Sequence, residues 1–272
     1  EYLTKKAKKE KASCTWAATN SKEPDENVSI ERMGSSINSE YSDFGAIQWD
    51  TTIYFSSQRF TENKALQKPV RQIAKVLKNG KSGSNELTAD FNKRDISVAN
   101  AVFNTDKTKI YYTVCEFKSD PELRCDLYSS KVNADGTYSE EQLVGGPINM
   151  PGYTTTQPSF AKDPITGNEV LYFVSDRPGG EGKLDVWMAV YDKRLGFSNP
   201  INLNEINTAE NDVTPYFHQD SRTLYFSTEG KTGFGGYDIF GSQWVDGKFI
   251  EATILPMPYN RTYHDIYYRP DD

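Results

Sequence analysis

Leu171 to Trp187 reads LYFVSDRPGGEGKLDVW, and from Leu224 to Phe240 the chain writes nearly the same line again, LYFSTEGKTGFGGYDIF. Each copy starts with an apolar-aromatic run, breaks at glycines, and resumes at an acid that opens an alternating apolar run. Glycines that cradle a phosphate lead into a helix, whose N-terminus supplies the amides and the dipole. Here DVWMAVY and DIFGSQW follow, and both read as strands. The glycines are therefore expected to allow positive φ in a long connection between antiparallel strands.

The line belongs to a longer period. TIYFSS (52–57), IYYTV (110–114), LYFVSD (171–176) and LYFSTE (224–229) match one another, and their tyrosines at 54, 111, 172 and 225 are 57, 61 and 53 residues apart. Steps of that size suit a four-stranded blade with its loops. Each run follows a shorter strand and a tight turn carrying Asp50, Asp106, Asp163 or Asp220, a residue that bonds its own backbone two positions on. Behind each run come a loop, a third strand (VRQIAKVL, CDLYSSKV, DVWMAVYD, DIFGSQWV) and a fourth element. That element ends in a shared crossing: SSINSE at 35–40, GPINMP at 146–151, NEINTA at 204–209 and, more weakly, MPYNRT at 257–262.

Four-stranded antiparallel sheets repeated radially make an all-β propeller, which leaves only short, protected edges. VSIERM (28–33) reads as a fourth strand without its first three, and YHDIYY (263–268) as a first strand of a further unit. The expectation is one blade shared by the chain ends, giving four complete blades and a composite fifth, with six the alternative. Residues 28–272 then form the propeller, closed by pairing of N- and C-terminal strands. Residues 1–27 form a helical lead, expected to be the end of a preceding helical-repeat domain, because EYLTKKAKKEKASCTW reads as the middle of something helical and its apolar stripe is narrow.

Lys plus Arg is 31 against 38 Asp plus Glu, a net −7, which argues against a nucleic-acid surface and makes anionic polymers unexpected partners. No apolar window is long enough to span a bilayer, so direct membrane insertion is not expected. Cys115 and Cys125 flank the turn-prone KSDPEL, and in a hairpin centred there they oppose each other. That spacing suits a disulfide, with two reduced cysteines the other reading, and an oxidised pair would place the protein outside the cytoplasm. Cys14 is left over.

Catalytic and metal chemistry find little purchase. His218 and His264 are the histidines, no GxSxG elbow occurs, and no ligand spacing supports a metal or another cofactor. Asp126, Asp185 and Asp238 recur at one place in three units, each before an apolar-aromatic pair. A carboxylate at a fixed repeat position is expected to tie down its own loop through backbone N–H groups. With 38 acids in a propeller, paired carboxylates for glycoside cleavage are available, so a propeller glycosidase or glycan-binding module is the second functional reading.

SDRPGGEGKLDVW, its partner STEGKTGFGGYDIF and the INS/INT crossings resemble the TolB-like, WD40-like propeller repeats of Bacteroidetes envelope proteins, over about residues 28–272. The resemblance implies a non-catalytic protein–protein interaction scaffold of the periplasm, associated with the outer membrane, in a type IX secretion assembly for protein transport. It also implies protein partners in the envelope, with peptidoglycan bound through a further OmpA-like domain. The first unit departs from the pattern: TENKALQKPVRQ (61–72) replaces the glycines and acid.

Chain path brings the crossings and the second-to-third strand loops to one face. Its rim gathers Tyr41, Arg59, Phe60, Phe117, Lys118, Pro121, Tyr153, Arg177, Pro178 and Phe234. Aromatics with arginines are the composition of an interaction surface, so this rim is the candidate partner site. The competing reading has these side chains packing against neighbouring loops.

Overall fold

The computed structural model describes residues 2–21, 27–61, 72–80, 83–87, 91–92, 95–118 and 122–270. A helix, α1 (Tyr2–Asn20), precedes four antiparallel sheets that follow one another along the chain. The first blade is β1 (Asp43–Trp49), β2 (Thr52–Thr61), β3 (Gln72–Gly80) and β4 (Gly83–Glu86), and the second is β5 (Ser97–Phe103), β6 (Lys109–Phe117), β7 (Leu123–Val132) and β8 (Tyr138–Leu143). The third is β9 (Thr155–Lys162), β10 (Glu169–Ser175) and β11 (Asp185–Asp192), edged by the short pieces β12 (Gly196–Phe197) and β13 (Ile201–Asn202). The fourth is β14 (Asp212–His218), β15 (Thr223–Thr228) and β16 (Asp238–Val245), edged by β17 (Lys248–Phe249) and β18 (Thr253–Ile254).

The central stretch of each second strand is covered on both sheet faces. In β10, Val170 to Ser175 are all buried. The faces join neighbouring blades: Tyr172 and Val186 pack with Phe217, Leu224 and Phe226, and Tyr111 and Leu127 pack with Leu171, Phe173 and Trp187. Burying each such side chain stabilises the fold by about 1.5–3 kcal/mol, so inter-blade packing holds the ring. Cys115 and Cys125 are paired across β6 and β7 and joined by a disulfide, with Cα atoms 4.1 Å apart. Cys14 is free and exposed.

The ring has four blades, not the five favoured by the sequence and not six. Residues 28–33 and 263–268 carry no strand, so the expected closure by pairing of the chain ends does not form. The reason is visible at the crossings. Asn149 accepts the Leu127 N–H (2.9 Å) and donates to the Leu127 and Val144 carbonyls (2.8 and 3.0 Å). Asn207 clamps Val186 in the same two-way manner, and Asn260 clamps Ile239. Asn92 does so for Val76, although its flanking residue is Phe91 rather than isoleucine. Asn38 keeps only the bond back along its own crossing, to the Met33 carbonyl (2.6 Å). Among the described residues no third strand lies beside Asn38, and without one the segments on either side have no ladder to join.

The tail nonetheless reaches the axis. Every inner strand has a bulge, and at it sits a left-handed residue: Gly45 (φ 62°), Asn100 (54°), Gln157 (50°) and Thr214 (54°), with Tyr267 (62°) from the tail. The Tyr267 hydroxyl donates to Asn100 Oδ1 (2.8 Å), and Gln157 Oε1 accepts the Thr214 N–H (2.8 Å). These side chains fill the axis and leave a space of only about 10 Å³ there.

α1 lies against the fourth blade, with Trp16 edge-on to Phe234 at 5.1 Å and Lys6 3.8 Å from Glu229. Among the described residues no helix is long and apolar enough to cross a membrane.

Candidate functional site

The crossing face is built of anchors rather than free side chains. Asp185 accepts the Glu181 and Gly182 N–H groups (2.5 and 3.1 Å), and Asp238 accepts those of Phe234 and Gly235 (3.0 and 3.1 Å). Gly180 and Gly233 pack directly on these carboxylates, where any Cβ would collide with them. Those are the loop ties that a repeated acid implies. Asp126 makes no such bond among the described residues; the neighbouring loop residues 119–121 lie outside them, Pro121 included. The departing loop 62–71 is likewise outside the described residues.

Arg177 is buried and ties the crossing down. It donates to the carbonyls of Ile148 and Pro147 and to the hydroxyls of Thr155 and Ser175, over the rings of Phe173 and Trp187. Arg59 is its counterpart in the first blade, bonded to the Ile37 carbonyl (2.7 Å), Asp43 (2.9 Å) and Ser57 (2.7 Å). Phe234 is covered by Trp16 of α1, Lys75 lies over Phe60, and Lys118 pairs with Glu116. Tyr153 is half-buried, while Tyr41, Phe117 and Pro178 are exposed.

Asp43 and Asp212 occupy the same repeat position with opposite pKa shifts. Burial alone would raise Asp43, but bonds from Ser57, Arg59 and Ser39 outweigh it and hold the carboxyl at about 2. Asp212 has no arginine; burial pushes it up to about 6 against the bonds from Thr228 and Thr208, and nearby Asp185 adds to the rise. The depressed Asp43 stabilises the fold above the ordinary 3.8, a contribution lost as pH falls toward 2. The raised Asp212 acts the other way: its contribution is full below 3.8 and is lost as pH rises through about 6. Carboxyl NMR titration is expected to give these two widely separated midpoints. Asp212→Asn, whose amide oxygen still accepts the Thr208 N–H, is expected to remove the decline between pH 4 and 6 and to gain about 1–3 kcal/mol at pH 7. An Asp212 midpoint at or below 4 would contradict this.

On the opposite face the tight hairpins surround an open funnel of about 790 Å³. Its walls are the lower halves of β1, β5, β9 and β14 with the tail, and its rings are Trp49, Phe103, Phe160 and Tyr216. Gln48, Asn104 and Gln219 supply amides, and Lys107, Lys162 and Arg269 supply cations. The turns that frame it are set by Asp106, which accepts the Thr108 N–H (3.1 Å), and Asp163, which accepts those of Ile165 and Thr166 (3.0 and 2.6 Å). None of the described lining residues is Asp or Glu. Sequence reasoning placed its candidates on the other face and missed this one. The missed signal was an aromatic near the end of every first strand: Trp49, Phe103, Phe160 and Tyr216, the last followed by the core residue Phe217.

No family model matches the sequence, and no curated protein matches it. Among solved structures the chain is similar to an endo-arabinase from Bacteroides thetaiotaomicron, at 15% identity over 75% of each chain and a TM-score of 0.48. An α-L-arabinofuranosidase from Lactobacillus brevis gives 11% over 77% of this chain and 74% of that one, with a TM-score of 0.47. A GH43_1 enzyme from Xanthomonas citri, complexed with xylotriose, gives 13% over 80% and 74%, at 0.46. No TolB-like or type IX secretion protein is supported by these comparisons, and the propeller rests on the strand order above. The expectation of a non-catalytic secretion scaffold is therefore corrected, and with it the assignment of the chain as not an enzyme: the solved structures it is similar to include glycoside hydrolases, and none of those named above is a secretion protein. At these scores the likeness assigns no activity, and function has to be argued from the funnel.

Proposed function

We propose that this propeller recognises a carbohydrate chain, bound in the hairpin-side funnel. The observation that supports the reading is the funnel itself: rings from four blades around one open space, with amides between them. Its volume falls within the range of small-ligand sites. Aromatic faces carry negative charge density and attract the weakly positive C–H faces of sugars, while Gln and Asn side chains both donate to and accept from hydroxyls. The plugged axis directs the ligand to the mouth rather than through the ring. Cleavage of a glycoside needs two carboxylates. Glu169 and Asp106, which touch lining residues, are engaged by Thr105 and by Asn104 and Thr108.

Calorimetric titration with a panel of neutral and acidic oligosaccharides, with product analysis of each mixture, tests the proposal. Binding is expected, and Trp49→Ala is expected to weaken it at least about tenfold, a loss of about 1.4 kcal/mol or more. Failure of the whole panel to bind, or an unchanged affinity in Trp49→Ala, would overturn it.

A further inference from the structure

One guanidinium in the funnel has no anion among the described residues. Arg269 lies in the lining, its charged group 5.0 Å from the ring centre of Tyr216, and it makes no ion pair or hydrogen bond among the described residues. Three other arginines of the fold are engaged: Arg59 by Asp43, Arg124 by Glu122 and Asp176, and Arg177 by four oxygens. Desolvation costs a cation several kcal/mol unless a partner is supplied, and burial already pulls the Arg269 pKa down to about 10. Lys107 stands 5.4 Å over Trp49 on the same lining, and Lys162, opposite Glu169 on the neighbouring strand, completes a set of three cations among lining residues that include no described Asp or Glu.

Resting on the carbohydrate reading above, we infer that the funnel selects an acidic sugar, whose carboxylate seats on Arg269 while its ring stacks on the aromatic wall. A planar guanidinium matches a carboxylate through two parallel N–H···O bonds, a geometry that a lysine cannot reproduce. The chain-wide charge of −7 made anionic ligands unexpected, but net charge says nothing of where the cations stand. Here three of them converge on one mouth. Stacked over a tyrosine ring, the guanidinium is also held in one orientation before ligand arrives, so little freedom is lost on binding.

The test titrates the whole chain with three probes: trigalacturonate, its methyl ester and neutral galactotriose. Trigalacturonate is expected to bind at least about tenfold tighter than the ester. Arg269→Gln is expected to bring the acid down to the level of the ester, a loss larger than any it causes for galactotriose. Since Arg269 packs on Tyr216, circular dichroism and thermal unfolding accompany this variant. The exposed pair Lys107→Gln and Lys162→Gln, which the fold does not need, is expected to shift the acid alone in the same direction by a few fold. Equal affinity for acid and neutral trimers would overturn the acidic-sugar inference and leave the carbohydrate reading standing. Binding of none of the three would count against both.

Discussion

Asn260→Ala is expected to lower the unfolding free energy by about 3–5 kcal/mol, because it strands buried backbone groups worth about 1–3 kcal/mol each. The side chain is fully buried and satisfies the Ile239 N–H (2.7 Å), the Ile239 carbonyl (2.9 Å) and the Leu255 carbonyl (2.8 Å). Alanine satisfies none of them, and water cannot enter to replace the amide. For a chain of this size the melting temperature should fall by roughly 10 °C. Asn38→Ala is the internal control, since among the described residues the Asn38 side chain bonds only the Met33 carbonyl and holds no third strand. It is expected to cost less than about 1 kcal/mol, as a single part-exposed hydrogen bond would. Urea unfolding of the two variants checks the pair, and equal losses would show that the crossing amide is not what locks each blade.

Arg177→Met carries the second large effect. Methionine keeps much of the volume over Phe173 and Trp187 but leaves the Pro147 carbonyl without a donor and the Ile148 carbonyl with the Thr155 hydroxyl alone (3.3 Å). The expected cost is about 2–4 kcal/mol, and Arg177→Lys should recover less than half of it because one ammonium cannot reach acceptors spread around a planar fork. Arg59→Met, at the more open counterpart, should cost about 1–2 kcal/mol. Denaturation midpoints for the three variants test the ranking. A consequence follows for the crossing-face rim: replacing Arg59, Arg177 and Phe234 together would perturb folding, so lost capture of a partner would not identify a docking surface.

Local features of this fold are legible because their causes are local. The Gly-rich stretches after Leu171 and Leu224 forecast hairpin loops because strands follow them, and Asp185 and Asp238 forecast loop ties because a carboxylate seeks nearby N–H groups. The opposition of Cys115 and Cys125 follows from the turn between them. Asn92 escaped notice because Phe91 stands where the other crossings have isoleucine or tyrosine.

Strand order within each blade, the crossing faces and the spacing of the repeat were thus written in the residues themselves. Blade number was not. It depends on whether segments more than two hundred residues apart find a sheet to join, and the described residues offer Asn38 no strand to clamp. The funnel was decided in the same way, since Trp49, Phe103, Phe160, Tyr216 and Arg269 lie far apart in sequence and face one space only when the inner strands gather round the axis. Periodicity records what each unit does with its own neighbours; closure, which is a relation among all units at once, creates the site.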